Sequence, residues 1–244
     1  MQLVFVTVVL LGVLCVWVRG HSSLPGKHWF VLTSLAMSWW LLSVALELST
    51  HAPECVLTIG QVAWLGIVLL PTFWAFFLYE YALGAKVPRP VLVTCIYIAP
   101  ALIVGAAATT HWHLKFYGPE TRLVTEVAKP YVYFDHGPLF FAAISYLYVV
   151  IMSAIVITGR AVLRANPAVR SFFLKLFAGT MIPVVANLSY LIGDFRLFGS
   201  DPTPFSFALS LALVVWLIAD NRWVDTNAIA RELMFYNSSD PVFV

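Results

Sequence analysis

Apolar residues occupy this chain in seven long runs, and polar residues fall mostly in the short segments between them. A helix needs about 20 mostly apolar residues to cross the hydrocarbon core of a bilayer. The runs lack the strict alternation of barrel strands, so they predict helices. The predicted spans are Gln2–Val18, His28–Leu48, Leu57–Leu83, Pro90–Thr110, Gly137–Gly159, Val169–Ile192 and Thr203–Ala219.

The composition supports a membrane protein. Of the 244 residues, 61% are hydrophobic and only 11% are charged, whereas a soluble domain carries about 25% charged residues. The mean hydropathy is +0.88. The predicted fold class is therefore an all-α integral membrane protein, built as a bundle of seven transmembrane helices.

Basic residues lie mainly in alternate connections, which predicts the orientation of the bundle. Ten of the 14 Lys and Arg residues fall in the first, third and fifth connections, at the start of the sixth span or in the C-terminal tail. Cytoplasmic loops carry the excess of Lys and Arg in membrane proteins. We therefore expect the N-terminus outside and the C-terminus inside. The first run lacks a basic leader and a small-x-small cleavage pattern, so we expect a retained helix rather than a signal peptide.

The longest connection, residues 110–136, predicts a structured external cap between the fourth and fifth helices. Leu114–Tyr117 and Thr121–Val127 are typical of strands, and Gly118–Glu120 between them is typical of a turn. A connection of this length usually has structure or a role of its own. We predict a small β-hairpin here; a disordered loop is the alternative, against which the many aromatic residues argue.

Residues 222–244 predict a cytoplasmic linker helix followed by the first strand of a truncated output domain. Asp225 or Thr226 can cap such a helix, and Ile229, Leu233 and Phe235 recur at roughly helical spacing. A frayed tail is the alternative. The predicted organisation is a seven-helix domain over 1–221 and a linker with the start of an output domain over 222–244.

Polar side chains within apolar spans are costly, so each is a candidate functional residue. Two helices carry polar or aromatic faces at i, i+3, i+7 spacing, one in the second span and one in the sixth. These faces can converge with side chains of the third and fifth spans on one outward-facing, aromatic-lined pocket for a small apolar ligand. Core packing and an interfacial aromatic belt are the alternative. The candidate ligand-binding residues are Trp40, Glu47, Gln61, Trp64, Tyr148, Asn187, Tyr190 and Asp194.

Pro183 suggests where a signal passes along the bundle. Proline has no N–H, so it leaves the Gly179 carbonyl without its usual helical donor. Asn187 then bonds this weakened backbone, joins two helices or contacts a ligand. Thr203 as N-cap and Pro204 as the first helical residue give the seventh span a defined outer end. The candidate relay residues are Pro183, Asn187, Pro204, Asp225 and Arg231.

The chain carries no catalytic motif, neither a phosphate-binding glycine loop nor a nucleophile elbow nor HExxH. Its three cysteines have no metal or disulfide spacing. His111 and His113, which share a face if they lie in a strand, are weak candidates for a metal or haem iron. We expect no catalytic activity, metal or other cofactor, and no nucleic-acid partner. Glu80 is expected to pair with Lys86 or Arg89.

Other membrane-protein classes fit less well. A retinal protein is excluded because the seventh span, Thr203–Ala219, contains no lysine for a Schiff base. A small transporter or channel stays open as an alternative, although the halves show no internal repeat. Glu47, Glu80 and Asp194 lie near span ends rather than at mid-membrane, which disfavours an ion pump. A haem-binding membrane protein is a weaker alternative.

The order of several short motifs resembles the N-terminal seven-transmembrane sensory module of bacterial histidine kinases, which also occurs before diguanylate cyclases. The segments that carry this resemblance are Pro71–Trp74 with Phe77, His111 with His113, Gly137–Phe141 with Tyr146 and Tyr148, Pro183 with Asn187, Asp201–Phe205, and Trp223–Glu232. After Glu232 the similarity is only loose.

The resemblance implies a receptor in the bacterial inner membrane whose last helix passes a signal to a cytoplasmic output domain. The tail resembles the family's linker into a PAS domain, and the output would be a histidine kinase or a cyclase. The resemblance does not name the signal. The expected partners are the lipid bilayer, the small apolar ligand predicted from the polar and aromatic faces, and a second copy bound through the output domain.

Overall fold

The computed structural model describes residues 2–20, 25–47, 49–50, 52–124, 131–193, 195, 197, 201–206, 209–210, 213 and 217. Helices dominate these residues. They are α1 Gln2–Gly20, α2 Lys27–Glu47, α3 Pro53–Leu83, α4 Arg89–Val93, α5 Ala99–Ala108, α6 Thr110–His113, α7 Pro138–Arg164 and α8 Pro167–Gly193. A π-helical turn, Thr94–Ile98, joins α4 to α5.

Within the described residues, five helical stretches are long and apolar enough to cross a membrane: Lys27–Glu47, Glu54–Leu83, Arg89–Ala108, Pro138–Arg164 and Arg170–Gly193. A shorter apolar stretch covers Val4–Gly20 in α1. Six of the predicted spans therefore coincide with helices. Residues 203–206 are helical at the start of the seventh, and most of that span lies outside the described residues.

Apolar side chains cover the outside of these helices. Phe5, Val149 and Ile192 expose 72%, 70% and 83% of their surface. Soluble proteins rarely expose apolar side chains in such number, so these surfaces fit a lipid environment.

Helices α2 and α3 approach each other closely at Gly66. A Cβ at this position would lie only 2.8 Å from the Ala36 carbonyl oxygen. The Trp39 indole also donates to the Val62 carbonyl across the same interface, at 3.0 Å. Small residues let helices in membranes approach closely, and here the approach brings the faces of α2 and α3 into one core with α7 and α8.

One end of α3 is fixed by an ion pair. Glu80, only 6% exposed in its side chain, accepts a hydrogen bond from Lys86 at 2.9 Å. Gly84 ends the helix in the left-handed conformation, φ 63°, and donates to the Glu80 carbonyl. The predicted pairing of Glu80 with Lys86 is confirmed.

The connection between α6 and α7, here called the cap, contains two short antiparallel strands. β1, Arg122–Val124, pairs with β2, Tyr131–Tyr133. The predicted first strand at Leu114–Tyr117 is wrong. Leu114 ends α6 in the left-handed conformation, φ 52°, which breaks an extended run, and within that segment only Tyr117 makes a bridge, with His136.

Candidate functional site

A cavity of about 280 Å³ lies between α2, α3, α7, α8 and the helical residues that begin at Thr203. An apolar cavity of about 150 Å³ holds a benzene molecule, so this one has room for an aromatic ring and a short alkyl chain. The cap contributes to its wall through Tyr117, Val132, Phe134 and His136. Leu176 and Trp74 line its other end.

The structure places most of the predicted ligand-binding residues around this one cavity. Gln61 does not line it, although the neighbouring Gly60 and Trp64 do. The cavity-facing residues of α3 follow the spacing Gly60, Ala63, Ile67, and Gln61 is turned about 100° away from that face. Asp194 lies outside the described residues. The predicted residues that line the cavity are Trp40, Glu47, Trp64, Tyr148, Asn187 and Tyr190.

A chain of hydrogen bonds crosses the cavity wall from α7 to the start of the helical segment at Thr203, here called the last helix because none follows it among the described residues. The Tyr148 hydroxyl donates to the Asn187 side-chain oxygen at 2.7 Å. The Asn187 amide donates to the Thr203 hydroxyl at 3.2 Å. The Thr203 N–H donates to Asp201 at 2.8 Å. Asn187 thus joins two helices, which was one of the alternatives left open by the sequence.

The last helix begins one residue earlier than predicted. The Ser206 N–H donates to the Pro202 carbonyl, so Thr203 is already the first helical residue. The carboxylate of Asp201, not the hydroxyl of Thr203, accepts the orphan backbone N–H at this end. A carboxylate is a stronger acceptor than a hydroxyl and is favoured at the positive end of a helix.

The last helix fills the gap that Pro183 leaves in the hydrogen bonding of α8. The Ser210 hydroxyl donates at 3.1 Å to the Gly179 carbonyl, the one that Pro183 cannot bond. The same hydroxyl lies 3.4 Å from the Ser206 carbonyl of its own helix. Asn187 therefore does not fill this gap in α8. Sequence reasoning missed Ser210, although the spacing of Ser206 and Ser210 already marked one polar face in an apolar run.

Tyr117 holds the cap onto the bundle. Its hydroxyl accepts the Trp64 indole N–H at 2.8 Å, and its backbone N–H donates to the Thr110 hydroxyl at 2.8 Å. The same Thr110 hydroxyl donates to the Tyr117 carbonyl at 3.1 Å. Burial raises the pKa of the Tyr117 hydroxyl, which therefore stays neutral at physiological pH.

Two carboxylates line the end of the cavity near the cap. Glu47 is the last residue of α2, and Asp201 precedes the last helix. Desolvation raises the pKa of the Asp201 carboxyl, and the hydrogen bonds from Thr203 offset part of that rise. The position of Asp201 in this wall was not predictable from the sequence, because it depends on how the start of the last helix packs.

The weak metal candidates lie apart from the cavity. His111 and His113 fall in the short helix α6 rather than in a strand. His113 accepts the Lys115 N–H at 2.9 Å, so this imidazole completes the end of α6. Across the part of the chain that the structure describes, no group of three His, Cys, Asp or Glu residues is placed to hold a metal ion.

Comparison with protein families decides the identity of this bundle. The family described as "N-terminal 7TM region of histidine kinase" matches residues 3–227. The chain belongs to this family. The match covers the helices, the cap and every described residue of the cavity wall, so the resemblance drawn from the short motifs is confirmed. Comparison with curated proteins gave no match.

Membership in the histidine kinase 7TM family sets the general role of the chain. It is a multi-pass membrane protein and a membrane sensor domain of the histidine kinase 7TM type. An input region of this kind is not itself catalytic.

Proposed function

We propose that this domain is a receptor that binds a small, largely apolar ligand in the cavity and passes the change to a cytoplasmic output domain. The observation that carries the proposal is the cavity of about 280 Å³ with its aromatic wall. Binding pockets are concave and mostly apolar, with a few polar groups that fix the orientation of the ligand. Here Tyr148, Asn187 and Tyr190 are those groups.

The proposed setting is a bundle of seven spans in the bacterial cytoplasmic membrane, with the N-terminus outside and the C-terminus inside. The concentration of Lys and Arg in alternate connections supports it. In this orientation the cap and the end of α2 lie on the outer side. The ligand cavity then begins in the outer half of the bundle and reaches toward its middle, at Trp74 and Leu176.

The proposed route of the signal runs through α8 and the last helix. Two hydrogen bonds join α8 to the last helix. The Asn187 amide donates to the Thr203 hydroxyl, and the Ser210 hydroxyl donates to the Gly179 carbonyl. Pro183, Asn187, Pro204 and Ser210 all line the cavity, so a bound ligand can favour one arrangement of these contacts over another. Asp225 and Arg231, outside the described residues, would carry the change into the linker.

The output domain would turn the signal into enzymatic activity. We propose that the full-length protein pairs as a homodimer through this output domain, a kinase or a cyclase. We also propose that the input domain works without a cofactor. A Soret band in the purified protein would contradict that part and favour the haem alternative.

The relay is tested with a chimera in which this domain controls a reporter kinase. Asn187→Leu removes the hydrogen bonds to Tyr148 and Thr203, and should shift the ligand-free output by about five-fold or more, since allosteric couplings are commonly of that size. The matched control is Ser189→Leu, because among the described residues the Ser189 hydroxyl bonds only the Ala186 carbonyl of its own helix, and Ser189 does not line the cavity.

The comparison is made at equal membrane expression, measured with an antibody tag. Equal output from Asn187→Leu, Ser189→Leu and the unaltered chimera would remove Asn187 from the mechanism. A large effect of Ser189→Leu would show that the assay reports general damage to α8.

A further inference from the structure

We infer that the ligand of this cavity is a single unbranched chain of about ten carbon atoms with one uncharged polar head, and that the head lies beside the cap. The inference rests on the proposed function, since it names the chemistry of the ligand that the receptor binds. Two separate features of the cavity support it, its length and the uneven distribution of polar groups along it.

The cavity is long and narrow. Its lining residues on α3 extend from Gly60 to Trp74, which is about 21 Å along the helix axis. Those on α7 extend over the same length, from Phe140 to Ala154. A sphere with the volume of this cavity, about 280 Å³, would be only about 8 Å across. A small volume spread over such a length favours a chain over a compact ring system.

The volume also gives the size of that chain. An apolar cavity of about 150 Å³ holds benzene, a molecule of six carbon atoms, so this cavity holds about ten or eleven non-hydrogen atoms. An extended chain advances about 1.2 Å per bond, so ten carbons with a terminal hydroxyl extend over about 12 Å. The side chains that close the two ends of the cavity occupy the remaining length.

Polar groups of the cavity wall gather at the end beside the cap. A hydroxyl both donates and accepts hydrogen bonds, so a hydroxyl head suits the mixture of carboxyl, amide and phenol groups found there. A carboxylate head would instead face two carboxyl groups, which disfavours an anion at this end. The polar residues that line this end are Glu47, Tyr148, Asn187, Tyr190, Asp201 and Thr203.

Toward the opposite end, hydroxyl groups of the wall already donate within the protein. The Thr33 hydroxyl donates to the Trp29 carbonyl at 2.8 Å. The Thr180 hydroxyl donates to the Leu176 carbonyl at 3.0 Å and accepts the Trp74 indole N–H, also at 3.0 Å. These groups are satisfied by their own helices or by a neighbouring helix, so an apolar chain end leaves them with their partners.

Between the two ends the wall carries apolar side chains from α2, α3, α7 and α8. A methylene chain has no hydrogen bonds to lose here, whereas a second polar group on the ligand would be left without a partner. The wall therefore favours one polar head and a plain hydrocarbon chain. These side chains are Met37, Ile67, Leu70, Leu147, Ile151 and Val184.

The first test compares two alcohols of ten carbons each, the linear 1-decanol and the compact 1-adamantanol. The protein is placed in nanodiscs of zwitterionic lipid, and binding is measured by calorimetry against empty nanodiscs. After correction for partitioning into the empty nanodiscs, 1-decanol should bind at least about ten-fold more tightly. The compact alcohol leaves the length of the cavity unfilled, and each unburied CH₂ costs about three- to four-fold in affinity.

A series of linear alcohols from six to sixteen carbons measures the length of the cavity. Affinity, expressed as free aqueous concentration, should rise about three- to four-fold with each added CH₂ until the cavity is filled. It should stop rising at about ten to twelve carbons. Partitioning into the empty nanodiscs continues to rise with chain length, so it distinguishes the cavity from the surrounding lipid.

Leu176→Ala locates the hydrocarbon end of the ligand. Leu176 is 3% exposed and lines the end away from the cap, so its truncation should extend the limit of the series by about two carbons. The matched control is Leu174→Ala. Leu174 is 56% exposed on the same helix and does not line the cavity, so this variant should leave the limit unchanged.

The outcomes separate this inference from the proposed function. Equal or tighter binding of 1-adamantanol overturns the chain-shaped ligand and leaves the receptor standing. Affinity that follows partitioning through sixteen carbons overturns the size of the ligand. Failure of both alcohols to bind saturably overturns the ligand cavity itself.

The position of the head is decided separately. An unchanged limit in Leu176→Ala overturns the placement of the hydrocarbon end. Tighter binding of decanoate than of 1-decanol would place a carboxylate at Lys175, a basic residue that lines the cavity away from the cap, and would overturn the uncharged head. The comparison of alcohols and decanoate on the unaltered protein stands even if Leu176→Ala fails to fold.

Discussion

Trp64 joins three parts of the molecule through one side chain. Its ring packs edge-on against Phe116 of the cap and Phe140 of α7, with centroid distances of 4.9 and 5.7 Å. Its indole N–H reaches the buried Tyr117 hydroxyl. A ring of this kind contributes both apolar contact and a directed bond, so it fixes the position of the cap over the cavity.

Trp64→Phe should lower the free energy of unfolding by about 1–3 kcal/mol, because the ring packing is largely kept while the buried Tyr117 hydroxyl loses its donor. Thermal unfolding in nanodiscs measures this. Trp112→Phe is the control, since Trp112 is 78% exposed and should change stability by less than about 0.5 kcal/mol. Equal losses in both variants would mean that the bond to Tyr117 does not stabilise the cap.

Some residues of the candidate site were predictable and others were not. Asn187 and Tyr148 stand out as polar groups in apolar helices, because the bilayer makes such groups costly. The contacts of Asp201 and Ser210 were not predictable, although Asp201 belongs to a segment that carries the family resemblance. Serine satisfies itself on its own helix carbonyl, and an aspartate between helices looks solvated, so their roles depend on which helix packs beside them.

At the scale of helices, α8 and the last helix form the pair most open to change. Pro183 interrupts the hydrogen bonding of α8, and Ser210 of the last helix fills the gap at Gly179. The Ser210 hydroxyl is also within reach of the Ser206 carbonyl. One hydroxyl between two acceptors provides two hydrogen-bonded arrangements, one across the helices and one within a helix.

A double-mutant cycle tests this contact. Ser210→Ala should cost about 1 kcal/mol in the unaltered background, since the Gly179 carbonyl loses its partner. In a Pro183→Ala background the restored N–H can bond Gly179, so the same substitution should cost less by about 0.5 kcal/mol or more. Reversible unfolding in mixed micelles measures both values. Ser153→Ala serves as the control, because Ser153 bonds only Val150 of its own helix.

If Ser210→Ala has the same cost in both backgrounds, the contribution of Ser210 to stability does not depend on Pro183. The contact would then be ordinary packing between the two helices.

The helices were easier to predict than the cap. Long apolar runs define helices almost alone, because a backbone inside lipid must satisfy its own hydrogen bonds. In the cap, the strand at Leu114–Tyr117 was predicted from residue type alone. The end of α6 and the paired hydrogen bonds between Thr110 and Tyr117 determine the local backbone instead, and such tertiary contacts override strand propensity.

At the scale of the whole molecule, charge placement predicts the topology independently of the packing. Alkaline phosphatase, which is active only outside the cytoplasm, would be fused after Ser22, Val87, Thr125 or Ala165. Only the Thr125 fusion should be active, because the other three follow connections rich in Lys and Arg. A fluorescent protein at the same sites, active only in the cytoplasm, gives the reciprocal control. Phosphatase activity at Val87 or Ala165 would contradict the predicted topology.

The arrangement of the helices around the cavity was only partly visible in the sequence. The periodicity of polar residues shows which face of a helix is polar. It predicted one shared pocket for Trp40, Glu47, Asn187 and Tyr190, and all four line the cavity. It does not show the crossing of two helices, which here depends on the close approach at Gly66. For that reason Gln61, one position from a cavity-lining glycine, was assigned to the wrong face of α3.

The π-helical turn at Thr94–Ile98 has a consequence for how this chain tolerates a change in length. A π-turn encloses one residue more than an α-turn between its hydrogen-bonded partners. Removing the exposed Tyr97 should therefore convert this turn to α-helix and leave α4 and α5 on their present faces. Removing the similarly exposed Val149 from α7 would rotate everything beyond it by about 100° and misalign half of the cavity wall. Single-residue deletions in this family should accordingly be accepted at the π-turn and rejected within α7, which folding yields of the two deletion variants would reveal.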